Sequence, residues 1–274
     1  NGRLLDYFLL RNLFDSHDKD ILEELKKYRN PDGGFGHGLE PDTALPDSSV
    51  VCTDEAVMIL EEVKRHPLKD EMISKIVDFY EQAYIPKIEG WELVPPEVDN
   101  YPRAVWWNYS GVGEFSYGNP NPQIIGFLYH HRKHLKNLDI EKLVDKVIKY
   151  ILNVFPNESR KHNIMSCLIF YNNMPKQIKS KIYDTLKTAV DKELAEDNWE
   201  EYCLQPYEIL AINKEFIKGK EELLNRNLDY LFDRLSKGLI MPNWHWGQYP
   251  EVFEKAKMEW AGYLTFIAVK VLMI

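Results

Sequence analysis

The chain has 274 residues, is 45% hydrophobic and 28% charged, and contains no Gly/Ser-rich or Pro-rich linker, so residues 1–274 read as a single domain with a sizeable core. Its formal net charge of −9, without a dense Lys/Arg run, argues against nucleic acid as a partner, because a negative surface repels phosphate backbones. The C-terminal run Trp260–Ile274 is apolar but includes Lys270 and falls short of the roughly 20 residues that a bilayer requires, so no membrane span is expected.

Cys52, Cys167 and Cys203 are scattered and odd in number, without a CxxC, which points to neither a disulfide framework nor a sequence-local metal site. A reducing, cytoplasmic compartment is the expectation, and no secretory leader is visible in the sequence as it stands.

Taken in order, apolar and charged segments alternate: 4–14 then 18–29, 52–64 then 69–84, 122–134 then 139–154, 162–173 then 177–193, 205–213 then 220–237, and a last apolar run at 257–274. In 139–154, Ile140, Leu143, Val144, Val147, Ile148 and Ile151 recur at three- and four-residue steps among charged residues, the pattern of a helix with one wet face. Met258–Ile274 and Ile164–Tyr171 are instead apolar on nearly all sides and need partners all round. No strand alternation stands out. The expected fold class is all-α, and an arrangement that satisfies both kinds of helix is an α/α toroid of about six inner and five or six outer helices.

Links from apolar to charged segments are short, whereas most returning links are long: 30–51, 85–121, 194–204 and 238–256. If consecutive helices are antiparallel, as short links favour, the long loops share one rim, and function is expected there. Pro122 after Asn121 and Pro206 after Gln205 suit first helical turns. Thr53 followed by Asp54 and Glu55 reads as a helix start with negative charge in its first turn.

Three of the returning loops carry a polar or glycine turn capped by an aromatic: Asp32-Gly33-Gly34-Phe35-Gly36, Glu89-Gly90-Trp91-Glu92 and Asn243-Trp244-His245-Trp246-Gly247. These turns resemble the repeated glycine-and-aromatic loops of the terpenoid cyclase and protein prenyltransferase α/α-toroid superfamily. The strings DGGFGHGLEPD, YPRAVWWN and NPNPQIIGFL are similar to a group of bacterial proteins labelled prenyltransferase-like. The resemblance implies a toroid with a substrate in its central cavity. It does not carry over a catalytic apparatus, since the DxDD acid of squalene-type cyclases is not found and the three cysteines lie outside the zinc-ligand pattern of protein prenyltransferases.

The candidate site residues lie in these loops. His37, Glu40, Asp42 and Asp47 fall within one long loop stiffened by Pro41 and Pro46, and carboxylates beside a pocket serve as acid and base when burial separates their proton affinities. Glu40, Asp42, His37 and His245 are the catalytic candidates; Tyr101, Arg103, Trp106, Trp107, Asn108, Trp244 and Trp246 are the substrate-binding candidates. Tryptophans stack on sugar rings or shield a carbocation, and Arg103 suits a carboxylate, a phosphate or a loop acid. The plainer alternatives are acids placed for solubility, indoles that plug the rim, and a hydrogen-bonded packing histidine at His245. His130, His131 and His134 read as a basic helix end rather than metal ligands, because no HExxH accompanies them. No metal and no cofactor are expected.

The expected function is that of an enzyme binding a small or isoprenoid-like organic substrate, with Glu40 or Asp42 moving a proton. A carbohydrate-active α/α barrel of the glycoside hydrolase or lyase kind is the alternative, and a non-catalytic peptide- or protein-binding module is a third reading. The partner in the first two cases is a small molecule, isoprenoid-like or sugar.

Overall fold

The computed structural model describes residues 2–274. Among them there are α-helices, 3-10 turns and isolated bridges but no β-strand, so the protein is all-α. The helices are α1 (Leu4–Asn12), α2 (Asp18–Leu25), α3 (Val50–Glu61), α4 (Pro67–Ala83), α5 (Asn121–His130), α6 (Ile140–Asn153), α7 (Phe155–Glu158), α8 (Lys161–Asn173), α9 (Lys176–Glu193), α10 (Pro206–Ile212), α11 (Glu221–Ser236) and α12 (Pro250–Leu272). Each apolar and charged segment of the sequence corresponds to one of them. The exception is α7, a single turn with Pro156 in its first positions, too short to carry a helical period. Among the described residues, no helix is long and apolar enough to cross a membrane.

The chain forms two compact units. One comprises the segment ending at Ala83 together with Glu92–Gly111 and Tyr230–Ile274; the other comprises Tyr84–Trp91 and Val112–Asp229. In the first, α12 packs against α1, and Gly262 makes the approach possible: a Cβ there would lie 2.8 Å from Asp6 Oδ2. Lys270 near the end of α12 pairs with Glu62 after α3. In the second, α5 packs principally on α8, where a Cβ on Gly126 would come within 2.9 Å of the Phe170 Cα. The wet-faced α6 buries Ile140, Leu143, Val144, Val147 and Ile151 as its period requires.

Helix starts differ from the sequence reading in one instructive place. α3 begins at Val50, capped by Ser49, whose hydroxyl accepts the Cys52 N–H at 3.2 Å. Thr53 is therefore inside the helix, its hydroxyl donating to the Ser49 carbonyl at 2.7 Å, and Asp54 and Glu55 lie beyond the first turn, where helix-terminus charge no longer explains them. Elsewhere the cap readings agree: Asn121 and Pro122 open α5, and Gln205 caps α10 in a capping box with Glu208. α5 stops at His130 and a 3-10 turn follows over Arg132–His134, so the three histidines do not share one helix face.

Candidate acid site in the first unit

The glycine turn after α2 is a scaffold. Gly33 has φ 93°, and a Cβ on it would stand 2.4 Å from the Lys75 carbonyl oxygen; one on Gly36 would stand 2.2 Å from that of Asp47. Asp32 Oδ1 accepts from Gly34 N at 3.0 Å and from Ser48 Oγ at 2.7 Å, closing the loop on itself. Phe35 is wholly buried and its N–H donates to Thr53 Oγ1 at 3.0 Å, which fixes the loop to α3. The turn thereby sets the position of the acidic segment that follows it.

Three distant segments then meet through main-chain bonds. Ala104 N donates to Asp42 O at 2.9 Å, Ala44 N to Pro102 O at 2.8 Å, and Val105 N to Trp246 O at 2.9 Å. On this lacing, Trp107 Nε1 donates to Glu40 Oε2 at 3.1 Å, while Trp246 Nε1 and Trp260 Nε1 both donate to Asp42 Oδ1, at 2.7 and 2.8 Å. Trp244 packs edge-on against Trp260 with ring centroids 5.3 Å apart. Both carboxylates are only 4% exposed.

Burial dominates their electrostatics. It pushes Glu40 well above the usual carboxylate range, helped by the charges of Asp42 and Glu55 and opposed by the Trp107 and Asp42 N–H groups. Asp42 is raised to about 6, again by burial, with the indoles of Trp246, Trp260 and Trp244 restraining the rise. Glu55, on α3, is raised to about 7 by burial, with Arg3 pulling it down and Asp42 and Asp6 pushing it up. Asp54 is also pushed up by burial and by Glu55.

Glu55 is half-buried and makes no hydrogen bond or ion pair with any described residue. The nearby Arg3 offers it no direct contact, because its guanidinium is bound to both oxygens of Asp6 and to the Leu39 carbonyl oxygen. Two carboxylates are thus locked under indole N–H groups, and a third has no hydrogen-bond partner among the described residues.

The other sequence candidates take different places. His37, at φ 56°, is exposed and bonds Asn30 Oδ1 at 3.0 Å, so the left-handed turn sends it away from Glu40. Asp47 is exposed, with its carbonyl close against Gly36. His245 is exposed with its ring against Phe253 at 5.4 Å. Arg103 is buried, but its Nη1 and Nη2 go to Asp99 and to the carbonyls of Val98, Asp99 and Tyr101, so it knots its own loop. Tyr101 is half-buried beside it. Gln248 Nε2 joins the Arg103 carbonyl to Asn108 Oδ1, at 2.9 and 3.1 Å, and Trp106 is 39% exposed.

Sequence reasoning missed Glu55 as an acid of this site, Trp260 as a donor, and the Arg3–Asp6 pair. Among the described residues no group of three or more His, Cys, Asp or Glu side chains is arranged to hold a metal ion. The three cysteines are free, Cys52 and Cys167 buried and Cys203 partly exposed. Compared with protein-family models, with curated proteins and with solved structures, the chain matches none.

Proposed function

We propose that the chain is an enzyme of the α/α-toroid class that performs acid–base chemistry on a small uncharged organic substrate, isoprenoid-like in the leading reading. The observation that carries this is the Glu55 carboxylate, without a hydrogen-bond partner among the described residues, near the indole-clamped pair Glu40 and Asp42. Carboxylates whose environments separate their proton affinities supply both an acid and a base near neutral pH. Glu40, whose hold on its proton burial strengthens, acts as the acid; Asp42, ionised above about 6, stabilises developing positive charge; Glu55, at about 7 and partly accessible, exchanges the proton with the substrate. The guanidiniums of Arg3 and Arg103 are already bound to Asp6 and Asp99, which favours a neutral substrate over an anionic one. Indole faces suit a cationic transition state.

A carbohydrate substrate is the second reading, favoured by one observation: half-exposed Trp106 next to the Asn108–Gln248 amide bridge forms a wet aromatic margin. The test is a turnover screen with neutral isoprenoid alcohols and olefins in one panel and chromogenic glycosides in the other. The reading expects wild-type turnover in one panel and losses of about 100-fold or more in Glu40→Gln and Glu55→Gln, the size of an acid–base contribution. Turnover in neither panel, or turnover indifferent to both substitutions, overturns it.

A further inference from the structure

The second unit contains a groove of about 900 Å³ between loop 112–120, α6, α7 and the first turns of α8. Its floor is pre-built. Asn163, 7% exposed, uses Nδ2 to reach Ser116 Oγ at 3.2 Å, the Glu158 carbonyl oxygen at 3.0 Å and Tyr150 Oη at 3.5 Å. Tyr150 Oη in turn donates to Glu158 Oε2 at 3.2 Å. Gly118 makes room for this arrangement, since a Cβ there would lie 2.2 Å from the Tyr150 hydroxyl oxygen and 2.8 Å from the Asn163 amide. Once Nδ2 is so used, Asn163 Oδ1 remains an acceptor without a protein donor, and Glu158 Oε1 is a second one. The floor therefore presents two acceptors with no described donor.

The rim has the opposite need. Lys149 and Arg160 are exposed, and neither cation has a described acid partner. Lys146 is different, being bound to Glu89 and the Ile88 carbonyl while its ammonium stands 4.5 Å from the Tyr117 ring centroid. Glu114, also on the rim, is the opposing charge.

We propose that this groove binds a polyol bearing an anionic group, a sugar phosphate by chemical class, with hydroxyls donating to Asn163 Oδ1 and Glu158 and the phosphate on Lys149 and Arg160. Hydroxyl donors match a floor of unpartnered acceptors, and a nearly buried amide already oriented by three bonds loses little freedom on binding. Exposed cations alone select no particular anion, so discrimination comes from the floor and additional affinity from the rim. The inference rests on none of the acid-site reading.

Isothermal titration with glucose 6-phosphate, glucose and inorganic phosphate tests it. Glucose 6-phosphate is expected to bind at least tenfold tighter than either fragment. The double variant Lys149→Gln/Arg160→Gln should weaken it to the level of glucose. Glu158→Gln, at an exposed position, should weaken glucose and glucose 6-phosphate alike and leave phosphate unchanged. Circular dichroism melts identify any variant that fails to fold. Phosphate binding as tightly as glucose 6-phosphate, no binding of any probe at millimolar concentration, or a preference for putrescine through Glu114 and Glu158 overturns the proposal.

Discussion

Trp246 Nε1 donates to Asp42 Oδ1 at 2.7 Å across 204 positions of sequence, and Trp246 is only 1% exposed. A buried carboxylate that loses one of its donors bears more of the desolvation cost, here with Trp260 still donating to Asp42. Trp246→Phe is therefore expected to lower stability at pH 8 by about 1–3 kcal/mol beyond its loss at pH 4, where Asp42 is neutral and the donor matters less. Urea unfolding of both proteins at both pH values measures the difference. Equal losses at the two pH values would mean that the indole contributes packing alone.

The raised acids also fix the direction of the pH dependence. Asp42 and Glu55 titrate at about 6 and 7 in the folded protein, above their ordinary values of 3.8 and 4.5. Between those limits the native state holds more protons than the unfolded chain, so their contribution favours folding at low pH and is lost as the pH rises through 6 to 7. Glu55→Gln removes its share of that loss. The variant should match wild type near pH 4 and exceed it at pH 8 by on the order of 2 kcal/mol. Denaturant curves that remain parallel from pH 4 to 8 would contradict the shift.

The helices were legible because burial on one face leaves a period in the sequence, as in α6, and nearly all-round burial leaves an apolar run, as over Ile164–Tyr171 of α8. The apolar run Met258–Ile274, which ends α12, is buried only in part, with Met273 and Ile274 exposed. α7 was not, because four residues carry no period. In the acid site, Glu40, Asp42, Trp107 and Trp246 were visible as polar and aromatic residues in long loops. Glu55 was hidden by its proximity to Thr53, which looked like a cap, and Trp260 by the apolar run around it. His37 was attractive through its nearness to Glu40 in sequence, yet a positive φ turned it outward. Side-chain direction in loops depends on such backbone signs, and spacing alone does not encode them.

The cap of α3 gives a third expectation. Ser49 is buried and its hydroxyl holds the Cys52 N–H, so Ser49→Ala should cost about 1 kcal/mol, as loss of a helix N-cap does. Thr53→Val should cost more. Its hydroxyl accepts the Phe35 N–H, which the substitution leaves buried and unpaired at about 1–3 kcal/mol, and it is one of two donors to the Ser49 carbonyl, which keeps only the Thr53 N–H. The ordering, read from urea midpoints, is the test; Ser49→Ala being the costlier would return the cap to Thr53.

The glycine turn yields the last prediction, which separates crowding from backbone strain. Gly219 has φ 85° but nothing within 4 Å of a prospective Cβ, so Gly219→Ala should cost only the left-handed strain of an L residue, about 1 kcal/mol. Gly36 has no positive φ, yet its Cβ would lie 2.2 Å from the Asp47 carbonyl oxygen and 2.3 Å from that of Pro46. These are backbone atoms and cannot swing aside as a flexible side chain would. Gly36→Ala must therefore displace the 46–47 backbone, which carries the Pro46 carbonyl that accepts from Asn30 Nδ2 at 3.0 Å. A loss of about 3 kcal/mol or more is expected from overpacking a closed turn. Since the same turn sets the position of Glu40 and Asp42, the surviving Gly36→Ala protein should also show altered tryptophan fluorescence from Trp107 and Trp246, while Gly219→Ala leaves the spectrum unchanged. Equal stability losses with identical spectra would show that the glycine turn does not fix the acids.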